Sequence, residues 1–384
     1  MPEVKSSDIW DYPNQTLMRK IEQVANRRCC ELFGAAIADL RPLSGNNACN
    51  ALLQGLCKSG DVIYSVSKEC GGHFTTDVVC KKLGIIRKDI PYGADGRIDL
   101  SRFAEVLAAG PTPKLVFLDA SMILFPYPVE GIRRLVGDEV IISYDASHTL
   151  GIIAGGQFQA PFKEGADIIQ GSTHKSFFGP QKGIFLFRQE SEASRAIQEE
   201  ITPYFVSNSH PHHMAALGVA AEEMLKYGER YAKMVVDNTR TLAASLYKHG
   251  FDVLFPSEGF TRSHLFITKI SDTQDPELLF SELQAVGIHV NLISVPFGSG
   301  KGFRIGCAEV SRRGFVPSDM EEMGDLVAAL TFKRKSKNAV KQLVKELSLA
   351  HSGIEYCDQL EQQCLTRNFG LDIGEYREEA SAAR

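Results

Sequence analysis

Asp145 and Lys175 are the residues of this chain whose types and spacing first suggest chemistry. Asp145 ends a β-rich run, Val140–Tyr144, and is followed by Ala146-Ser147-His148. A second run, Asp167–Gln170, leads into Gly171-Ser172-Thr173-His174-Lys175 and then Gly179-Pro180. In an open α/β sheet, ligands bind outside the carboxyl ends of the strands, so an aspartate and a lysine at two such ends converge on one crevice. A buried carboxylate and a lysine suit pyridoxal phosphate. The lysine forms a Schiff base, and the carboxylate keeps the pyridine nitrogen protonated so that the ring accepts electrons from the substrate. A structural ion pair would present the same two residues.

Three further features bear on that choice. Ser44-Gly45-Asn46 precedes a helical pattern, where free backbone N–H groups and the helix dipole favour a phosphate and glycine permits close approach. Cys70-Gly71-Gly72-His73 follows another strand and would lay an imidazole against a flat ring, although a histidine after two glycines also serves as a turn or cap residue. Ser121 offers a hydroxyl beyond a third strand, Lys114–Asp119.

The elements that must hold these residues follow from periodicity. Leu17, Ile21, Val24, Ala25 and Leu32 recur at helical spacing up to Gly34, and a second helix is predicted over Ala48–Lys58. β-rich runs at Val62–Val66, Gly84–Ile90, Lys114–Asp119, Val140–Tyr144 and Asp167–Gln170 alternate with helix-length segments, and Gly183–Phe187 adds another strand. That alternation predicts an α/β fold with a mostly parallel, helix-covered sheet. A helix from about His212 to His249 leads out of it. Beyond Gly250, strands at Asp252–Phe255, His264–Ile270, Ile288–Asn291 and Gly302–Gly306 alternate with helices at Pro276–Ala285, Ser318–Leu330 and Ala339–Leu349, predicting a smaller α+β domain. The expected division is residues 1–245 and 246–384.

Composition sets the outer bounds. The 384 residues are 44% apolar and 23% charged, enough to bury a large core, and the net charge of −5 gives no basic field for nucleic acid or anionic lipid. The most apolar stretch, Leu115 to Val129, is broken by Asp119, Pro126 and Pro128, so no membrane span is expected. Nine cysteines without any C-x-x-C pair suit a reducing cytoplasm, with adjacent Cys29 and Cys30 read as small packing residues. The basic run Phe332-Lys333-Arg334-Lys335-Ser336-Lys337 reads as a solvated connection between two helices.

Taken in order, S-G-N-N, G-G-H, A-S, D-A-S-H, S-T-H-K and G-P-Q-K-G, followed by F-R-I-G-C-A-E-V-S-R-R-G-F at Phe303–Phe315, resemble the serine hydroxymethyltransferase family. The resemblance runs from about Tyr12 to Phe315 and implies a fold-type I pyridoxal phosphate enzyme with an aspartate aminotransferase-like large domain. By matching position it makes Lys175 the Schiff-base lysine and Asp145 the partner of the pyridine nitrogen. His73 would stack on the ring, with Ser121 and His148 near its phenolic oxygen. Ser44, Gly45 and Asn46 would cradle the phosphate, with Ser172 and His174 close by. Arg304 would clamp the substrate carboxylate, a task suited to a bidentate guanidinium. Tyr12 falls on the second tyrosine of the family's R-Y-Y-G-G segment.

The departures shape the expected activity. Val4 stands where the family has its acid/base glutamate, with Glu3 only a neighbour, and the family's N-terminal arm finds no counterpart. The glycine pair that helps bind phosphate across the dimer is replaced around Ser209-His210-Pro211. Threonine-proline-alanine has become Cys307-Ala308-Glu309, so Glu309 is expected beside Arg304, favouring a polar or cationic substrate side chain. His210, His212 and His213 lack an acidic or thiol companion at ligand spacing, and no metal is expected. The expected protein is a homodimer with its active site at the interface. It would act on an amino acid by aldolase, transaldolase or hydroxymethyl-transfer chemistry with weak folate dependence, and His73 or His148 would serve as base on a β-hydroxyl. An aminotransferase and a non-catalytic paralogue are the alternatives.

Overall fold

The computed structural model describes residues 15–208 and 210–358, so Glu3, Val4, Tyr12 and Ser209 lie outside the described residues. The strands in chain order are β1 (Ile37–Asp39), β2 (Val62–Ser65), β3 (Ile86–Asp89), β4 (Leu115–Leu118), β5 (Ile141–Asp145), β6 (Ile168–Ser172), β7 (Gly183–Phe187), β8 (Asp252–Val253), β9 (Leu265–Lys269), β10 (Asn291–Ser294) and β11 (Lys301–Gly306). The helices are α1 (Gln15–Phe33), α2 (Gly45–Leu56), α3 (Phe74–Leu83), α4 (Leu100–Ala108), α5 (Val129–Val136), α6 (Leu150–Ala154), α7 (Pro161–Glu164), α8 (Glu192–Glu199), α9 (Pro211–Lys248), α10 (Pro276–Ala285), α11 (Ala308–Arg312), α12 (Pro317–Thr331) and α13 (Lys337–Ala350). Among the described residues, no helix is long and apolar enough to cross a membrane.

Seven strands form the larger sheet in the order β1-β7-β6-β5-β4-β2-β3. Pairings β2 with β3, β2 with β4, β4 with β5 and β5 with β6 are parallel, while β7 runs antiparallel to both β6 and β1. Every residue of β2, β4, β6 and β7 is buried. Helices cover both faces, which is why these strands read as continuous apolar runs rather than alternating ones. One core, holding Ala25, Cys29, Tyr144 and Tyr231, lies between the sheet and α1, α6 and α9. A second, with Leu52, Phe117 and Ile197, lies on the opposite face under α2 and α8.

The smaller antiparallel sheet has the order β10-β11-β9-β8, and a third core packs it against α10, α12, α13 and the end of α9. The 38-residue α9 thus serves two cores, giving Met214, Leu217 and Val235 to the first and Leu242, Ala243 and Leu246 to the other.

Where the elements depart from expectation, a local cause is visible. The helix α2 begins at Gly45 rather than Ala48 because Ser44 caps it, its Oγ accepting the Asn47 N–H at 3.0 Å. The strand expected over Ile288–Asn291 lies at Asn291–Ser294. Gly287, at φ +91°, turns the chain out of α10, and Ile288 plugs the core before pairing starts. The three residues of β1 escaped notice because so short a run shows no period. It pairs on the sheet edge through Ile37 to Phe187. Residues 332–337 are exposed between α12 and α13, as a solvated connection requires.

Candidate active site

A cleft of about 200 Å³ opens at the carboxyl ends of the parallel strands, and the ten residues that the resemblance assigns to the cofactor all line it. The sheet brings them together from four directions. The capped end of α2 supplies Ser44, Gly45 and Asn46, and the turn before α3 supplies His73. The segment beyond β4 supplies Ser121. The ends of β5 and β6 supply Asp145 with His148 and Ser172 with His174 and Lys175.

The start of α2 is built as an anion site. Asn47 N–H is bonded to Ser44 Oγ and Ala48 N–H to the Ser44 carbonyl at 3.0 Å, so the preceding amides of Gly45 and Asn46 are the helix's open donors. A Cβ on Gly45 would stand 3.0 Å from both Ser147 Oγ and the Ser172 amide nitrogen. Only glycine lets the helix end approach the two strand ends this closely. Ser147 Oγ accepts the Ser172 N–H at 3.0 Å and so fixes the spacing of β5 and β6 at the cleft.

Asp145 is half-buried and its Oδ1 accepts the Ser147 N–H at 2.8 Å, which holds the carboxylate in place. Lys175 Nζ donates to Ser172 Oγ at 2.7 Å. Although the residue is exposed at the cleft mouth, loss of water around its ammonium holds the lysine below its ordinary pKa. Asp145 opposes that shift and Arg304 adds to it. Burial also keeps His73 below the usual imidazole value, with Asp145 opposing and Lys175 assisting. His148 is driven well below it, first by burial and then by Lys175, His264, Arg304 and His73. Both imidazoles are therefore neutral near neutral pH and able to accept a proton.

Arg304 sits on β11, half-buried. It donates from Nη1 to the carbonyl of cleft-lining Ser121 at 3.4 Å and from Nη2 to Asn291 Oδ1 at 3.2 Å. Among the described residues it has no carboxylate partner. Glu309 is not brought to it: the Glu309 side chain is 77% exposed and pairs with Arg313 at 3.7 Å, four residues along α11 and its cap. Tyr12 lies outside the described residues. His210, His212 and His213 cluster at the start of α9, with ligand atoms within 4.8 Å of one another. Burial first, then His212, Lys182 and His210, hold His213 below the ordinary imidazole value.

Several contributors escaped the sequence reading. Cys49, Asp119, Ser147 and Gln181 also line the cleft. His264, buried ahead of β9, stacks on His148 with ring centroids 5.7 Å apart, its pKa pushed down to about 3 by burial, Arg304 and Lys175. Gln181 and Ser147 lie within motifs already singled out. Asp119 carried the same strand-end signal as Asp145.

Comparison with known proteins agrees with this geometry. A family model for serine hydroxymethyltransferase matches residues 11–327. The chain is 38% identical to a fluorothreonine transaldolase of Streptantibioticus cattleyicolor over 85% of its own length, but spans only about half, 51%, of that protein. It is 34% identical to a serine hydroxymethyltransferase of Thermoplasma volcanium, covering 90% of this chain and 83% of the relative. A crystal structure of L-threonine transaldolase from Pseudomonas fluorescens superposes with a TM-score of 0.88 at 31% identity, covering 94% of this chain and 84% of that one. With its cleft at the strand ends and this likeness along most of its length, the chain belongs to the serine hydroxymethyltransferase family of fold-type I, pyridoxal phosphate-dependent enzymes.

Proposed function

We propose that this protein breaks and makes the Cα–Cβ bond of a β-hydroxy-α-amino acid by transaldolase-type chemistry that needs no folate. The observation that carries the reading is Arg304: a half-buried guanidinium whose described partners are a neutral carbonyl and a neutral amide, near enough to the neutral imidazoles of His148 and His264 to be felt by both. Desolvated guanidinium without a protein carboxylate is suited to a substrate carboxylate.

The residues present fit pyridoxal phosphate. The open amides of Gly45 and Asn46 suit its phosphate, the anchored Asp145 carboxylate its ring nitrogen, His73 its face and Lys175 its aldehyde. When bound, the cofactor supplies an electron-accepting ring that stabilises negative charge at the substrate Cα. Arg304 fixes the substrate carboxylate so that the bond to be broken is held in one orientation. His73 or His148, neutral through burial, takes the proton from the β-hydroxyl as Cα and Cβ separate, and returns it when an incoming aldehyde is joined. Asp145 keeps the ring nitrogen protonated throughout. Phe74 and Tyr204, 65% and 70% exposed, leave apolar surface that suits the second copy expected of a homodimer, and Phe74 lies next to His73 in the chain.

The test is to incubate the protein, loaded with cofactor, with L-threonine and an aromatic aldehyde in the absence of folate. Release of acetaldehyde together with a new β-hydroxy-α-amino acid is the expected result. Accumulation of pyridoxamine phosphate with a keto acid would replace this reading by an aminotransferase. Cleavage of serine only when tetrahydrofolate is added would replace it by hydroxymethyl transfer. The carboxylate clamp has its own test. Arg304→Lys is expected to lose about 2 kcal/mol, roughly 30-fold in kcat/KM, mostly as a raised KM for the amino acid. Steady-state kinetics against amino-acid concentration checks it.

A further inference from the structure

We propose that Asp119 is a positioning residue for this reaction: its buried carboxylate ties the segment carrying His73 to the end of β4 and so sets where that imidazole stands in the cleft. The inference rests on the cofactor site described above, but not on which amino acid is cleaved.

Asp119 follows β4 directly and is 1% exposed. One carboxylate oxygen, Oδ1, accepts the N–H of Val66, the residue just past β2, at 3.0 Å. The other, Oδ2, accepts the hydroxyl of Thr76, in the first turn of α3, at 2.5 Å. Its backbone carbonyl accepts the N–H of His73 at 3.0 Å. A single residue therefore grips the loop at its start, at its functional residue and at its end. The next residues extend the seam: Ala120 bridges Gly72, and the amides of Ser121 and Met122 donate to the Gly71 carbonyl at 2.9 and 3.1 Å.

The loop's other bonds lie mostly within itself, Ser67 capping the single turn Lys68–Cys70 and its carbonyl accepting the Gly72 N–H at 2.8 Å, while the Glu69 carbonyl accepts the Phe297 N–H at 2.7 Å; the side-chain tie to β4 is Asp119. Gly71 has φ +89°, and a Cβ on Gly72 would fall 2.1 Å from the Val66 carbonyl oxygen, so neither position can carry a packing side chain. The His73 ring has one described side-chain hydrogen-bond partner, Thr75 Oγ1 at 2.5 Å from Nδ1. Its place in the cleft is set through the backbone that Asp119 holds.

A filler role would not call for a buried carboxylate, which loses hydration and recovers it only through its hydrogen bonds. Burial pushes Asp119 up to about 7, while Thr76 and the Val66 amide pull it down. Asp145 at the end of β5 pushes it further up, and Arg87 on β3 opposes. Cys49 on α2, together with Tyr92 and Tyr127, also feels its charge. Asp119 thus changes protonation near neutral pH. The protonated carboxyl can donate to Thr76 as well as accept from it, so the Thr76 tie changes character with protonation.

Two conservative variants separate the tie from mere packing. Asp119→Asn keeps the volume and the Val66 bond but removes the titrating charge. Thr76→Val removes one bond and leaves Asp119 in place. The readouts are kcat, KM and the visible circular dichroism of bound cofactor across neutral pH, in wild type and in a His73→Asn background; the dichroism needs no substrate. Asp119→Asn is expected to abolish a pH-dependent step near neutrality in the dichroism and in kcat. Thr76→Val is expected to lower kcat by about 3- to 10-fold with KM nearly unchanged, as a small misplacement of a reacting group does. Both effects should vanish in the His73→Asn background. If they multiply there instead, or if both variants match wild type, Asp119 does not act through His73. Loss of the amino-acid reaction itself, with the dichroism behaving as expected, would count against the proposed function and leave the role of Asp119 standing.

Discussion

Lys175→Ala abolishes turnover, by at least about four orders of magnitude, and removes the Schiff-base absorbance of the purified protein, because Lys175 is the lysine among the described residues that lines the cleft. The expectation comes from the cleft rather than from the motif alone. Lys175 Nζ is held by Ser172 Oγ at 2.7 Å, and the surrounding protein lowers its pKa, which raises the share of neutral, nucleophilic amine. His174 beside it is also kept below the ordinary imidazole value, by burial and by Lys175, but an imidazole cannot replace a primary amine in this role. The variant should still bind cofactor without a covalent link, since the amides of Gly45 and Asn46 are untouched. Absorbance before and after dialysis checks both halves. A variant that still shows the Schiff-base absorbance and is fixed to cofactor by borohydride reduction, or that retains more than a trace of activity, would move the attachment point elsewhere.

Asp145→Asn is expected to cost about 3 kcal/mol of transition-state stabilisation, roughly two orders of magnitude in kcat, with a much smaller change in cofactor affinity. The amide Oδ1 can still accept the Ser147 N–H, so the side chain stays in place and the fold is spared. What is lost is the charge that holds a proton on the ring nitrogen. The amide NH2 that would face the nitrogen is a neutral donor, which favours the unprotonated ring. A melting curve near wild type together with the depressed kcat is the predicted pair of results. A parallel collapse of both would mean that Asp145 serves the fold and not the chemistry.

The shared place of Asp145 and Lys175 was legible because one ends and the other follows a strand with a buried interior, which leaves an apolar run in the sequence. The anion site was legible for a related reason, since a helix cap and a glycine announce themselves locally at Ser44 and Gly45. Asp119 was not. In sequence it ends a strand as Asp145 does, but its role depends on Val66 and Thr76, both more than forty residues away. Glu309 shows the converse error. Its closeness to Arg304 in the chain suggested a shared site, yet Arg313 stands four residues further on, the spacing at which oppositely charged side chains meet on a helix. Both strand boundaries and burial of polar groups are decided by partners distant in the chain, and one sequence does not name those partners.

The long helix α9 has a consequence for how the chain is made. Synthesis proceeds from the N-terminus at about 5–20 residues per second, so early segments must wait for late ones. The edge strand β1 has no partner until β7 has emerged, and α1, whose Ala25 and Cys29 lie in the first core, meets its main helical partner only when α9 follows. The far end of α9 waits in turn: Leu242 and Leu246 stay uncovered until β9 and α12 are complete. The helix α1 is thus made well before the helix it packs on most, and the apolar stripe of α9 stays partly open until both of its cores are complete.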